Sequence, residues 1–222
     1  MRRATFAFAA ALLFVLDAGP TRAEEDTWYV QKVTTGDSPL RVENFWSKGS
    51  RLRAHSVIAG RPILTLVNGE FYSVIDELAG TGVAIRRSPA AIQADARRGR
   101  PFGREGDRLI AAGAEKVGRE TIKGRDCDVY RLTDPRGRRE ACLLLEAAHL
   151  PLHAEEFDRA SGATVQFRFL DWSRGFPAAD AFFEPDPRIA LERVEYDDYL
   201  ERAPKGPVGP APVLYRDLLH GE

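Results

Sequence analysis

Short apolar segments separated by turn-forming residues recur through residues 28–172, and they constrain the fold more than any other feature. The clearest turn is Asn68-Gly69, because Asn-Gly between two apolar runs is typical of a two-residue β-hairpin. Many short strands at hairpin spacing predict an antiparallel sheet, sandwich or barrel. We therefore predict a mainly β chain with short helices (α+β), whose eleven strands cover residues 28–33, 40–46, 51–58, 62–67, 70–75, 82–86, 115–122, 127–132, 138–145, 152–158 and 164–172.

Several of the predicted strands are apolar on both faces, whereas a half-solvated strand alternates apolar and polar residues. Residues 63–67 and 71–75 carry apolar side chains at odd and at even positions, and strict alternation places Phe167 and Phe169 opposite Trp172. Both faces of the sheet therefore need cover. We predict a curved antiparallel sheet or incomplete β-barrel with a helical lid, which encloses an apolar cavity. A filled core without a cavity is an equally good interpretation.

Helix signals interrupt the strand pattern in the middle of the chain and return after the last strand. Ser88-Pro89 is a good N-cap and first helical residue, so the sequence predicts a helix over residues 89–98. Further short helices are predicted over residues 104–112 and 195–202. Residues 204–222 are rich in proline and glycine and are predicted to form an extended tail with one final helical turn.

The first 23 residues have the features of a secretory signal peptide. Arg2 and Arg3 form a positive n-region, residues 6–16 are an unbroken apolar run, and cleavage is expected after Ala23. The apolar run is too short to span a bilayer, and a buried core helix is the alternative. We therefore expect an exported, periplasmic protein with a single domain over residues 24–203 and no transmembrane segment in the mature chain.

The two cysteines, Cys127 and Cys142, are predicted to form one disulfide in an oxidising compartment. They flank residues 134–137, which have proline at the second turn position and glycine at the fourth. A turn centred between Asp134 and Pro135 pairs the cysteines directly, and a turn centred on Pro135 and Arg136 makes them diagonal neighbours. Both registers place the thiols on one face. A redox-active pair is the alternative, but the Cys-x-x-Cys spacing is missing.

Composition and motifs argue against several classes of function. The formal net charge is −1, which does not favour a nucleic-acid binder dominated by phosphate contacts. The sequence contains none of the serine-hydrolase, zinc-protease, P-loop or dinucleotide-binding signatures. His149 and His153 have a zinc-ligand spacing for a helix, but Pro151 lies between them and favours a loop. We predict no enzymatic activity, no cofactor and no metal site.

One basic segment breaks the even distribution of charge. Six arginines between Arg86 and Arg104 are accompanied by a single acid, Asp95. This pattern indicates an electropositive rim around the helix at 89–98, in which Arg97, Arg98 and Arg100 contact an anionic lipid head group or an acidic protein surface. A solvated helix face paired with acids elsewhere is the alternative.

Several stretches resemble one family. Residues 124–130 resemble the Gly-x-x-Cys-x-x-Tyr strand of the LolA/LolB-type periplasmic lipoprotein carriers. Residues 150–152 and 157–159, with Gly162 closing the turn, resemble a hairpin of that family, and residues 180–183 resemble its ending. The N-terminal domain of RseB-type envelope-stress sensors shares the same fold.

The resemblance implies an incomplete, curved barrel with helices as a lid. Its concave face would receive lipid, lipoprotein acyl chains or other apolar groups, and the family has no catalytic residues to carry over. An RseB-like protein-interaction or sensor module without a transport role, with a periplasmic protein partner, is the alternative. Strand parity gives the candidate ligand contacts as Trp46, Leu64, Leu66, Tyr72, Val74, Ile92, Phe167 and Phe169.

Overall fold

The computed structural model describes residues 26–58, 60–145 and 149–221. The predicted signal peptide, residues 1–23, lies outside this range. Within the described residues the chain forms twelve strands in one mixed sheet that does not close into a barrel, together with four short helices, which confirms the mainly β fold class. None of these helices is long and apolar enough to cross a membrane.

The strands are β1 (Thr27–Gly36), β2 (Arg41–Lys48), β3 (Arg51–Ile58), β4 (Arg61–Asn68), β5 (Phe71–Asp76), β6 (Thr81–Arg86), β7 (Glu115–Ile122), β8 (Arg125–Asp134), β9 (Gly137–Leu144), β10 (Pro151–Asp158), β11 (Thr164–Arg174) and β12 (Ala190–Val194). The helices are α1 (Pro89–Arg98), α2 (Glu105–Ala111), α3 (Tyr196–Arg202) and α4 (Arg216–His220). The eleven predicted strands and the predicted helices are all present, with boundaries moved by a few residues. Ser88 caps α1 as predicted, since its hydroxyl accepts a hydrogen bond from the amide of Ala91.

The strand order is β12-β6-β5-β4-β3-β2-β1-β11-β10-β9-β8-β7. Sequential hairpins build β1 to β6 and β7 to β11, and the pairing of β1 with β11 joins these two halves. The twelfth strand was not predicted, because its short sequence mixes apolar and charged residues. It pairs with β6 in parallel. The sheet is therefore mixed, whereas the sequence predicted a wholly antiparallel sheet.

One face of the sheet, which we call the covered face, packs against α2 and against residues 204–221, which we call the C-terminal segment. Cross-strand partners Val30, Phe45 and Ala54 lie on this face at its centre. From the C-terminal segment Val208, Ala211, Leu218 and Leu219 are buried against it. Helix α2 covers the other end, where Gly106 faces Leu143 of β9 so closely that a Cβ at position 106 would lie 2.6 Å from the leucine methyl carbon.

The opposite face has its own cover, as the two-sided apolar strands predicted. Leu64, Leu66 and Ile75 form a small core there with Ile189, which ends the connection into β12, and with Leu191 of β12 itself. This connection runs from β11 across the opposite face to the far edge of the sheet. It delivers β12 beside β6, which explains the parallel pairing.

Cys127 and Cys142 form the predicted disulfide, with their Cα atoms 5.4 Å apart. The turn is centred on Pro135 and Arg136, because Asp134 pairs with Gly137. Of the two registers, the diagonal one is therefore correct. The bridge lies in a small apolar cluster with Val129, Leu144, Leu150 and Leu152.

A β-bulge in β11 changes the direction of one tryptophan. Between the pairs Tyr29–Ser173 and Gln31–Leu170 the strand β11 has one residue more than β1, and Asp171 adopts a left-handed conformation with φ of 57°. The extra residue moves Trp172 next to Phe169, with ring centroids 6.1 Å apart and planes 16° from parallel. The predicted opposition of these two side chains is therefore wrong, because strict alternation fails at a bulge.

Candidate functional site

The predicted electropositive rim is largely turned inward. Arg98 is only 8% exposed, and it donates to the carboxylate of Asp95 at 3.1 Å and to the carbonyl of Asp217 at 2.9 Å. Arg100 donates to the carbonyl oxygens of Phe102 and Gly103. Of these three arginines only Arg97 is exposed. Two of the three predicted contacts, Arg98 and Arg100, therefore serve mainly as donors inside the fold.

Arg87, another member of the basic segment, lies in the interior. The residue as a whole is 2% exposed, and its guanidinium donates two hydrogen bonds of 2.8 Å to the Asp95 carboxylate. It also donates to the carbonyl oxygens of Leu218 and Gly69, each at 2.7 Å, and of Ala91 at 3.3 Å. One side chain therefore holds together the β4–β5 turn, helix α1 and the C-terminal segment.

The predicted ligand contacts do not form one cavity. Leu64 and Leu66 lie on the opposite face, and so does Trp46, whose ring meets Phe182 at 5.8 Å. On the covered face lie Tyr72, Val74, Phe167 and Phe169. Ile92 is 39% exposed on α1. The residues are spread over two faces because the set mixes strand positions of both parities, and successive side chains point to opposite faces of a sheet.

The covered face is almost filled by the C-terminal segment. The hydroxyl of Tyr215 donates to the buried carboxylate of Glu43 at 2.8 Å, and its amide donates to the hydroxyl of Tyr72 at 3.2 Å. Burial, together with the nearby charge of Glu43, raises the pKa of Tyr215 well above its ordinary value. The space that remains beside Phe45 and Phe102 is about 170 Å³. Ligand pockets are usually about 300–1,000 Å³, so this space is too small for a drug-sized ligand.

A roomier pocket of about 500 Å³ lies between the β7–β8 turn and the strands β10 and β11, and we call it the turn pocket. Ile122, Leu152, Phe169 and Trp172 contribute its apolar lining, and Leu170 adds to it at the bulge. Of the predicted contacts only Phe169 is among these residues. Strand parity did not identify the other lining residues of the pocket, because the bulge that turns Trp172 into the pocket leaves no clear signal in the sequence.

The aromatic wall of the turn pocket is held in place from behind. Trp172 stacks on Phe102 at 5.9 Å as well as on Phe169, and its indole NH donates to the carbonyl of Pro151 at 2.8 Å. Trp28 meets the same indole edge-on at 6.3 Å. The pocket wall is therefore preformed. A wider groove of about 610 Å³ lies between α3 and the C-terminal segment, where Tyr199, Leu200 and His220 line it together with prolines and small residues.

The histidines are distributed over separate sites. His149 contacts Asp107 at 3.2 Å, while His153 lies in the lining of the turn pocket. On the opposite face His55 accepts a hydrogen bond from Arg53 at 3.0 Å and contacts Glu77 at 3.3 Å. Burial lowers the pKa of His55, with Glu77 opposing this shift. Among the described residues no group of three side chains could hold a metal ion.

No family model matches the chain, and no curated protein matches it in sequence. Among solved structures, an uncharacterized conserved protein from Thermus thermophilus is similar with a TM-score of 0.53 and 9% identity, over 76% of this chain and 91% of that one. This likeness shows the fold alone.

Two further neighbours are less similar. MucB in the Pseudomonas aeruginosa MucA/MucB complex has a TM-score of 0.47 and 16% identity, over 77% of this chain, which spans about 60% of that one. An outer membrane lipoprotein-sorting protein domain from Vibrio parahaemolyticus has a TM-score of 0.31 and 12% identity, over 73% of this chain and 91% of that one.

Proposed function

We propose that this chain is a non-catalytic binding protein of the LolA-like kind, which holds an acyl chain or another apolar group in the turn pocket. The observation that carries the proposal is the volume of about 500 Å³ together with the apolar lining by Ile122, Leu152, Phe169 and Trp172. A pocket of this size and character is typical of small-molecule sites. The proposal assigns the ligand to the turn pocket and not to the centre of the covered face, which the C-terminal segment almost fills.

The free energy of burial favours an apolar ligand in this pocket. Burial of an acyl chain gains about 0.8 kcal/mol for each CH₂ group that leaves water. Since Trp172 is fixed by stacking and by its hydrogen bond to the Pro151 carbonyl, little additional ordering of the pocket wall opposes binding. A preformed aromatic wall of this kind lowers the ordering cost of binding.

We also propose that the protein works in the periplasm. The support is the predicted signal peptide at residues 1–23 and the disulfide between Cys127 and Cys142, a bond typical of oxidising compartments. The competing role is an RseB-like protein-interaction or sensor module. That role predicts no bound acyl ligand and is an outcome of the experiment below.

The test is titration of the protein lacking residues 1–23 with a fluorescent acyl probe, for the wild type, Ile122→Trp and Val117→Trp. Ile122 lines the pocket, whereas Val117 is 48% exposed on the edge strand β7, so the second variant is a matched control. We expect Ile122→Trp to weaken binding at least tenfold and Val117→Trp to leave it unchanged, with both variants folded by circular dichroism. Absence of probe binding to the wild type, or equal binding by Ile122→Trp, would contradict the proposal.

A further inference from the structure

We propose that the ligand of the turn pocket is an amphiphile with an anionic head group, which Lys123, Arg125 and Arg168 bind at the rim of the pocket. This inference rests on the proposed function and names the class of ligand. It begins from the observation that the polar lining of the pocket is strongly cationic. These three cations stand there against one acid, Asp171, with His153 as a further titratable group.

The three cations have no partners within the described ranges. None of them has a carboxylate within 4.0 Å or a side-chain hydrogen bond to a described residue. Neighbouring strands show the contrast, because Arg131 pairs with Glu140 at 2.6 Å and Arg138 with Glu155 at 2.9 Å. Three cations without a partner among the described residues therefore give the opening of this pocket a local positive charge.

The backbone fixes these side chains around one opening. Lys123 adopts a left-handed conformation with φ of 50°, and Gly124 follows at 77°, which gives a tight two-residue turn between Ile122 and Arg125. Arg168 pairs with His153 across β10 and β11, so these two side chains lie on the same side of the sheet. The β7–β8 turn, β8 and β11 thus contribute Lys123, Arg125 and Arg168 to the lining of one pocket.

Such convergence costs mutual repulsion in the empty protein, since like charges close together raise the free energy. An anion at the rim would relieve that repulsion and accept charge-assisted hydrogen bonds from the guanidinium groups. The apolar lining below the rim would take the attached hydrocarbon. The chemistry common to all suitable ligands is thus a hydrocarbon chain that ends in a carboxylate or a phosphate.

The experiment compares dodecanoate, dodecyl phosphate and dodecanol as competitors of the acyl probe, using the protein without residues 1–23. We expect at least one anion to bind at least tenfold more tightly than the alcohol, which corresponds to about 1.4 kcal/mol. The preferred anion identifies the head group as carboxylate or phosphate. Equal affinity of the alcohol and both anions would overturn the head-group inference while leaving the proposed function intact, whereas absence of binding by all three would overturn both.

A triple variant, Lys123→Gln, Arg125→Gln and Arg168→Gln, tests the assigned residues. We expect its affinity for the preferred anion to fall to that of dodecanol, with dodecanol binding unchanged. Arg159→Gln is the matched control, because Arg159 is an exposed arginine of the β10–β11 turn outside the pocket lining. An anion preference that survives in the triple variant, or that Arg159→Gln abolishes, would refute the assignment.

Discussion

Replacement of Arg87 by lysine is expected to destabilise the fold although the charge is retained. The guanidinium makes five hydrogen bonds to four residues: Gly69, Ala91, Asp95 and Leu218. A lysine ammonium is a point charge with three donors and cannot reproduce this planar pattern. The variant would retain the attraction to Asp95 and lose contacts to the backbone carbonyls.

The magnitude follows from the acceptors left behind. If two buried carbonyl oxygens lose their donor at about 1–3 kcal/mol each, Arg87→Lys lowers the free energy of unfolding by about 2–5 kcal/mol. Arg87→Met also removes the charge that faces Asp95. Loss of one partner of a buried ion pair costs about 3–5 kcal/mol, so we expect the methionine variant to be at least as unstable as the lysine variant. Either loss is a large share of the roughly 5–15 kcal/mol that stabilises a typical domain.

The assay is urea unfolding followed by tryptophan fluorescence, with hydrogen exchange of the Leu218 and Leu219 amides as a second readout. Arg97→Lys is the control, because Arg97 is exposed on the same helix. We expect faster exchange in the C-terminal segment of Arg87→Lys and no change in the control. An unfolding free energy of Arg87→Lys within about 0.5 kcal/mol of the wild type, the range typical of surface substitutions, would refute the reasoning.

Three further predictions concern other parts of the fold. Removal of the disulfide by Cys127→Ala and Cys142→Ala should lower the urea unfolding free energy by about 3 kcal/mol for a loop with sequence separation 15, and a change below about 1 kcal/mol would contradict the loop-entropy account. Because burial lowers the folded-state pKa of His55, the folded chain binds fewer protons than the unfolded chain below about pH 6.5. The stability contribution of His55 is therefore complete above this pH and is lost as the pH falls towards the folded pKa. His55→Gln should flatten the pH dependence of the unfolding free energy between pH 5 and 8. An unchanged slope of the unfolding free energy against pH would contradict this prediction. Gly106→Ala should lower the unfolding free energy by about 1–3 kcal/mol despite the better helix propensity of alanine, because the added Cβ has no room. Gly118→Ala, where the space is open, is the control and should leave the unfolding free energy unchanged. A stabilised Gly106→Ala variant would refute the close contact.

Local signals in the sequence were sufficient for eleven of the twelve strands, the first helix and the disulfide. Asn68-Gly69, Ser88-Pro89 and the Asp134–Gly137 turn each fix their neighbourhood through backbone geometry that few other residues allow. The candidate site was less predictable, because it depends on the bulge at Asp171, where one extra residue reverses the side-chain parity. Strand parity assumed an uninterrupted ladder and therefore assigned Trp172 to the wrong face.

Charge was also a poor guide to position. The sequence shows that arginines are concentrated between positions 86 and 104, but it does not show which of them meet an acceptor in three dimensions. Arg87 and Arg98 are buried because carbonyl oxygens of the C-terminal segment, more than 100 residues away in sequence, lie within reach of their donors. A contact of this range leaves no trace in the local pattern.

The position of the C-terminal segment has a consequence for the order of folding. A chain that emerges from a ribosome or an export channel N-terminus first presents β1 to β6 long before Val208, Ala211, Leu218 and Leu219 arrive to bury the covered face. Until then a broad apolar surface is open to water, and β1 also waits for β11. Such late, long-range closure slows folding and leaves the intermediate open to chaperones or to aggregation. The C-terminal segment, which is synthesised last, thus ends the period in which the covered face is exposed to water.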